Sequence, residues 1–137
     1  MSASAAQNWN IAPLAGLSQV KGRQDATLCD EPIHRFLLDT VQRFADRPAV
    51  VFREQGVRWT WARFQAEVDA LAAGFIALGL RVGERVGIWS PNRVEWLVTQ
   101  FATARAGLVL VNINPAYRLA ELEYALNLSG CRALVTA

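Results

Sequence analysis

Two short runs carry most of the side chains that could hold a ligand: Trp89-Ser90-Pro91-Asn92, and Asn112 followed by Asn114-Pro115-Ala116-Tyr117-Arg118. Their amide, hydroxyl, phenol and guanidinium groups supply donors, acceptors and permanent positive charge. Such chemistry orients a polar or anionic substrate; it does not by itself break a bond. Asn112, Asn114, Tyr117 and Arg118 form the candidate rim of a substrate cleft, and helix caps and turns draw on the same residue types.

Other chemistry-bearing residues read as structural. His34 is the only histidine, and a general base needs a nucleophile beside it; no serine or cysteine is placed there by the sequence pattern. Cys29 and Cys131 lie far apart without CxxC spacing or interleaved histidines, which argues against a zinc site or a disulfide framework. Asp25, Asp30 and Glu31 show no metal-ligand order. Gly79, Gly83 and Gly87 in GLRVGERVG superficially suggest a phosphate loop. A dinucleotide fingerprint follows a strand and opens a helix, whereas this run leaves a helix and enters a strand. It reads as a helix C-cap and a tight turn. Of the five tryptophans, Trp59, Trp61, Trp89 and Trp96 sit where strands and helices pack, and Trp9 takes no assignment.

The elements that would position the two runs follow from periodicity. Residues 1–30 show no sustained period and read as an N-terminal arm. From Pro32, the residues Ile33, Phe36, Leu37, Val41 and Phe44 recur at helical spacing, and Pro48 closes that helix. Ala49–Phe52 and Val57–Trp59 flank Arg53-Glu54-Gln55-Gly56 as a hairpin. Thr60 caps the next helix, whose apolar stripe is Phe64, Val68, Leu71, Phe75 and Leu78. Then come a strand at Val86–Trp89, a helix capped by Asn92 with Glu95 three residues on, and a strand at Leu108–Ile113. A helix marked by Leu119, Leu122, Tyr124, Leu126 and Leu128 leads to a last strand at Arg132–Thr136. Strands alternating with helices, with dense β-branched content, predict a three-layer α/β fold. Its sheet is mostly parallel, built by βαβ crossovers, with one β-hairpin in addition. In such a sheet ligands sit beyond the carboxyl ends of the strands, where both runs fall.

Composition bounds the function. Apolar residues make up 53% and charged residues 19%, enough for a core and too apolar for a disordered tail. Net charge is +2 with both signs well mixed, so the footprint of a nucleic-acid binder is missing; Lys21 and Arg23 are too few to make one. The apolar run Ala106–Ile113 is too short to cross a bilayer, and MSASAAQN has no secretory character. A cytoplasmic protein without a transmembrane segment is expected.

The stretch GERVGIWSPNRVEWLVTQFATARAGLVLVNINPAYRLAELEYALNLSGCRALVTA resembles the AMP-forming acyl-CoA synthetases, a branch of the adenylate-forming enzymes. Upstream, VQRFADRPAVVFREQGVRWTWARFQAEVDALAAGFIALGLRVGERV follows the same pattern. The family's Thr-Tyr-x-Glu-Leu appears here as Thr60-Trp61-Ala62-Arg63-Phe64, with Arg63 in place of the acid. The resemblance covers residues 30 to 137, and DATLCDEPI looks like the arm of the medium- and long-chain fatty-acid branch.

That resemblance implies a two-step ligase. ATP and a fatty acid give an acyl-adenylate and pyrophosphate, and coenzyme A then takes the acyl group and releases AMP. Mg²⁺ and a Ser/Thr/Gly-rich loop ending in lysine serve the phosphates in that family. No such loop occurs in these 137 residues, so no catalytic or cofactor-binding residue carries over. Residues 31–137 are expected to be the first part of the AMP-binding domain, ending before the phosphate loop, and the chain alone is expected to be inactive. Its partners would be the rest of its own synthetase domain and a second copy in a homodimer. Two other readings stay open on the residues: a ligase for an aryl or short-chain carboxylate, and a non-enzymatic interaction or oligomerisation module on the same fold.

Overall fold

In the computed structural model, Gly16, Asp25 and residues 27–136 are described. The chain divides into two compact units, Met1–Asp30 and Glu31–Ala137. Trp9, Lys21 and Arg23, and most of the arm assigned to residues 1–30, lie outside the described residues.

The second unit contains α1 (Ile33–Phe44), β1 (Pro48–Phe52), β2 (Val57–Thr60), α2 (Trp61–Ala77) and β3 (Arg85–Trp89). It continues with α3 (Val94–Ala106), β4 (Val109–Ile113), α4 (Leu119–Ser129) and β5 (Cys131–Thr136). β1 and β2 pair antiparallel around a turn in which Gly56 takes φ 64°, a conformation that favours glycine. The other three strands form a parallel sheet in the order β4-β3-β5. The expected hairpin, parallel sheet and four helices are all present.

Register decides which residues share a face. Val86 and Ile88 align with Leu110 and Asn112 of β4 and with Ala133 and Val135 of β5. Because side chains alternate, these belong to one face, and Gly87 and Trp89 to the other. On the first face Val86 joins one core with Phe64, Val68, Ala72 and Phe75 of α2 and Val98 and Ala102 of α3. Leu37 of α1 and Val50 of β1 complete that cluster. Phe64 packs edge-on against Phe101, ring centroids 5.3 Å apart. On the second face lies α4: a Cβ added at Gly87 would meet Leu126 Cδ2 at 3.2 Å, with Ile113 and Leu134 beside it. Gly87 is therefore not a turn glycine of the run that contains it. Gly79 and Gly83, both at φ 84°, serve that role, and Gly87 admits a helix close to the sheet.

Three other expectations need correction. Ile33 and Phe36 are exposed, because α1 rests on the core through the narrower edge formed by Leu37 and Val41. Leu78 is likewise exposed: it is the C-cap of α2, beyond the last turn that faces the core. Tyr124 and Leu128 point away from the sheet, opposite the side on which Leu122 is buried.

Gln65 is the one buried core position held by a long polar side chain among the described residues. It is 8% exposed, and neither amide atom has a hydrogen-bond partner. An unpaired buried polar group costs about 1–3 kcal/mol. Gln65→Met keeps length and helix propensity, and is expected to raise the unfolding free energy by about 1–2 kcal/mol in urea titrations. A loss of stability would show that the amide is satisfied after all.

Candidate functional site

β3 leads into α3 on one face of the sheet, and its neighbour β4 leads into α4 on the other. Where adjacent strands send their exits to opposite sides, a crevice opens between their carboxyl ends; ligands of doubly wound sheets bind there. The loops Ser90–Arg93 and Asn114–Arg118 leave β3 and β4 at that switch point. Arg93 and Asn92 line a concavity with the hairpin, and Tyr117 and Arg118 line a separate one with α4.

On the β4 side, Asn114 shapes the turn. Its Oδ1 accepts from the Ala116 N–H at 3.0 Å, and its carbonyl oxygen accepts from the Tyr117 N–H at 3.0 Å. Arg118 is the N-cap of α4, and its own N–H donates to Glu121 Oε2 at 2.8 Å. A guanidinium cannot accept a bond in return, so Arg118 leaves its side chain free for other partners. Tyr117 and Arg118 line an open concavity of about 550 Å³ with Ala120, Glu121 and Tyr124. Asn112 is exposed on β4 on the opposite face, level with Ile88, and does not line that concavity. Of the four rim residues, Tyr117 and Arg118 come together; Asn114 holds the turn beneath them and Asn112 stands apart.

On the β3 side, Ser90 is buried and its hydroxyl donates to the Pro91 carbonyl oxygen at 2.9 Å. Trp89 is half-buried, and its indole N–H has no partner. Asn92 does not cap α3. The N-cap position falls on Arg93, which makes no side-chain cap bond. The first N–H of the helix, that of Val94, donates instead to Gln55 Oε1 at 2.8 Å, from the hairpin turn 39 residues away. Gln55 Nε2 donates to Glu95 Oε2 at 2.9 Å. That bond, one from the Glu95 backbone N–H and the charge of Arg93 hold the Glu95 carboxyl below its usual range. Nothing local in the sequence points to Gln55; the only hint is the poor capping residue, arginine, before Val94.

Among the described residues no group of three or more His, Cys, Asp or Glu could hold a metal ion. His34 stands at the start of α1 with Nδ1 unpartnered, and no nucleophile is bonded to it.

A parallel sheet with helices on both faces and a switch point between β3 and β4 defines an α/β domain of the doubly wound type. The family model described as AMP-binding enzyme matches residues 37–137, and the chain belongs to that family. Over 126 residues, 92% of this chain, it is 43% identical to the mitochondrial medium-chain acyl-CoA ligase ACSF2 of Mus musculus. The chain spans about a fifth of the length of the curated relatives it matches (20% for the mouse ligase). Among solved structures, a Mycobacterium tuberculosis fatty acyl CoA synthetase superposes with a TM-score of 0.74 at 28% identity, covering 77% of this chain and 21% of that one. The N-terminal subdomain of Klebsiella oxytoca NpsA, in complex with anthranilyl-AMSN, gives 0.71 at 25% identity, covering 77% and 27%. The resemblance to acyl-CoA synthetases stands, and with it the fold.

Proposed function

We propose that this chain is the scaffold-bearing N-terminal part of an AMP-forming fatty-acyl-CoA ligase that takes medium-length acids. The identity of 43% along 92% of the chain to a medium-chain acyl-CoA ligase carries that reading. ATP, Mg²⁺, coenzyme A and the fatty acid are ligands of the whole enzyme. Residues 31–137 contribute the parallel sheet and one rim of the cleft, where Tyr117 and Arg118 face the substrate and Asn114 shapes the turn that carries them. The Ser/Thr/Gly-rich loop ending in lysine does not occur in these residues, and this reading assigns adenylation to the rest of the synthetase domain. No helix among the described residues is long and apolar enough to cross a membrane. Cys29 and Cys131 are free thiols, which suit a reducing compartment such as the cytoplasm.

Pyrophosphate release tests the proposal. With ATP, Mg²⁺ and coenzyme A, the full-length protein is expected to turn over octanoate and decanoate faster than palmitate, acetate or benzoate. The 137-residue chain is expected to release none above buffer. Silence with every carboxylate would sink the ligase reading, and turnover by the short chain would sink the scaffold reading. A preference for benzoate or anthranilate would favour the aryl-acid alternative, to which the NpsA likeness lends support.

A further inference from the structure

We infer that Gln55 is a positioning residue for the loop at the carboxyl end of β3: the hairpin turn caps α3 through it, and so sets where Ser90–Arg93 stands. The inference rests on the ligase reading only where it touches turnover. Three observations carry it. First, α3 has no cap of its own, since Arg93 offers no acceptor and Asn92 does not reach the helix. Second, Gln55 makes two bonds to consecutive residues of the first turn, accepting from the Val94 N–H at 2.8 Å and donating to Glu95 Oε2 at 2.9 Å. This two-point attachment fixes both distance and rotation, where a single bond would leave a pivot. Third, Val94 is 4% exposed and belongs to the core shared with Val86 of β3, so the capped turn is anchored at its other side as well. The loop Ser90–Arg93 spans only four residues between β3 and this turn. Whatever holds the turn therefore holds the loop.

An ordinary N-cap is local and can be lost without consequence for another element. Here the acceptor comes from a separate two-stranded sheet, so hairpin and Ser90–Arg93 loop form one mechanical unit. Glutamine is the side chain that satisfies both partners, because it alone among residues of this length presents an acceptor and a donor together. Glutamate could still accept from Val94, but it would face the carboxylate of Glu95.

Amide hydrogen exchange and steady-state kinetics on the full-length protein test this together. In Gln55→Leu, the Val94 amide is expected to exchange about five- to tenfold faster, the loss of one capping bond, and Asn92 and Arg93 are expected to follow. KM for the carboxylic acid or ATP should rise severalfold while kcat stays within about twofold, as for a group that positions substrate rather than reacting with it. Gln55→Glu should behave alike at neutral pH. Combining it with Glu95→Gln reverses the pair: the amide now at position 95 can donate to the carboxylate at position 55, and both readouts should be restored. Val94 protection unchanged in Gln55→Leu would overturn the cap. Faster exchange confined to Val94 with wild-type KM, or failure of the reversed pair to rescue, would overturn the positioning role. If the wild-type protein releases no pyrophosphate, the ligase reading falls, while exchange at Asn92 and Arg93 still decides the inference.

Discussion

Phe64→Ala is expected to be the most damaging single truncation in this domain, lowering the unfolding free energy by about 3–5 kcal/mol. Phe64 is 2% exposed and is the largest of the fully enclosed side chains among the described residues. It projects from the first turns of α2 into the layer shared by α3 and the sheet, with Phe101 edge-on to its ring. Truncation removes both the transfer free energy of the ring and its contact with Phe101, and leaves a void that three elements would have to move together to fill. Phe64→Leu should lose much less, because most of the volume remains. Urea unfolding followed by far-ultraviolet dichroism measures both. An unfolding free energy for Phe64→Ala within about 1 kcal/mol of wild type would mean that α2 does not sit on the core as described.

Gly87→Val tests the opposite face and the opposite fault, overpacking. A Cβ at Gly87 would stand 3.1 Å from Ile113 Cδ1, 3.1 Å from Leu134 Cδ1 and 3.2 Å from Leu126 Cδ2. One methyl can be absorbed by small shifts of those side-chain tips, so Gly87→Ala should change stability by less than about 1 kcal/mol. Valine adds two further carbons between the central strand and α4, and is expected to cost about 2–3 kcal/mol despite its better strand propensity. The only relief is to lift α4, and α4 begins at the crevice loop that carries Tyr117 and Arg118. In the full-length protein, Gly87→Val should therefore also raise KM. A valine variant as stable as wild type would show that α4 does not pack closely over the sheet.

These two sites also show what is legible in the sequence. The apolar stripe of α2 is plain in Phe64, Val68 and Phe75, since helical spacing states which residues can share a face. Thr60 is readable as a cap, and its Oγ1 accepts from the Arg63 N–H at 3.2 Å. Periodicity does not state what covers a face, which is why Ile33, Phe36 and Tyr124 read as core residues and are exposed. Gly87 reads as a member of a turn because its neighbours Gly79 and Gly83 are turn residues. Only the helix on the far side of the sheet explains it.

The candidate site divides in the same way. Asn114 followed by proline announces a turn, and local hydrogen bonds make one. The concavity joining Tyr117 to Tyr124 is made by the end of that loop and the first two turns of α4, so helical spacing finds only its Ala120, Glu121 and Tyr124 side. The capping of α3 cannot be read in this way. Asn92 with Glu95 has the spacing of a local cap, yet the partner that bonds Val94 is 39 residues upstream. Contacts between elements distant in the chain leave no periodic trace.

The strand order β4-β3-β5 has a consequence for how the domain is made. The strand synthesised first is the one that ends in the middle, and each later strand joins an outer edge of what already exists. No strand has to be threaded between two that have paired. A polypeptide emerging from the ribosome in this order can build its sheet outwards as it appears, with β3 and the α2–α3 layer serving as the template on which β4 and then β5 are laid.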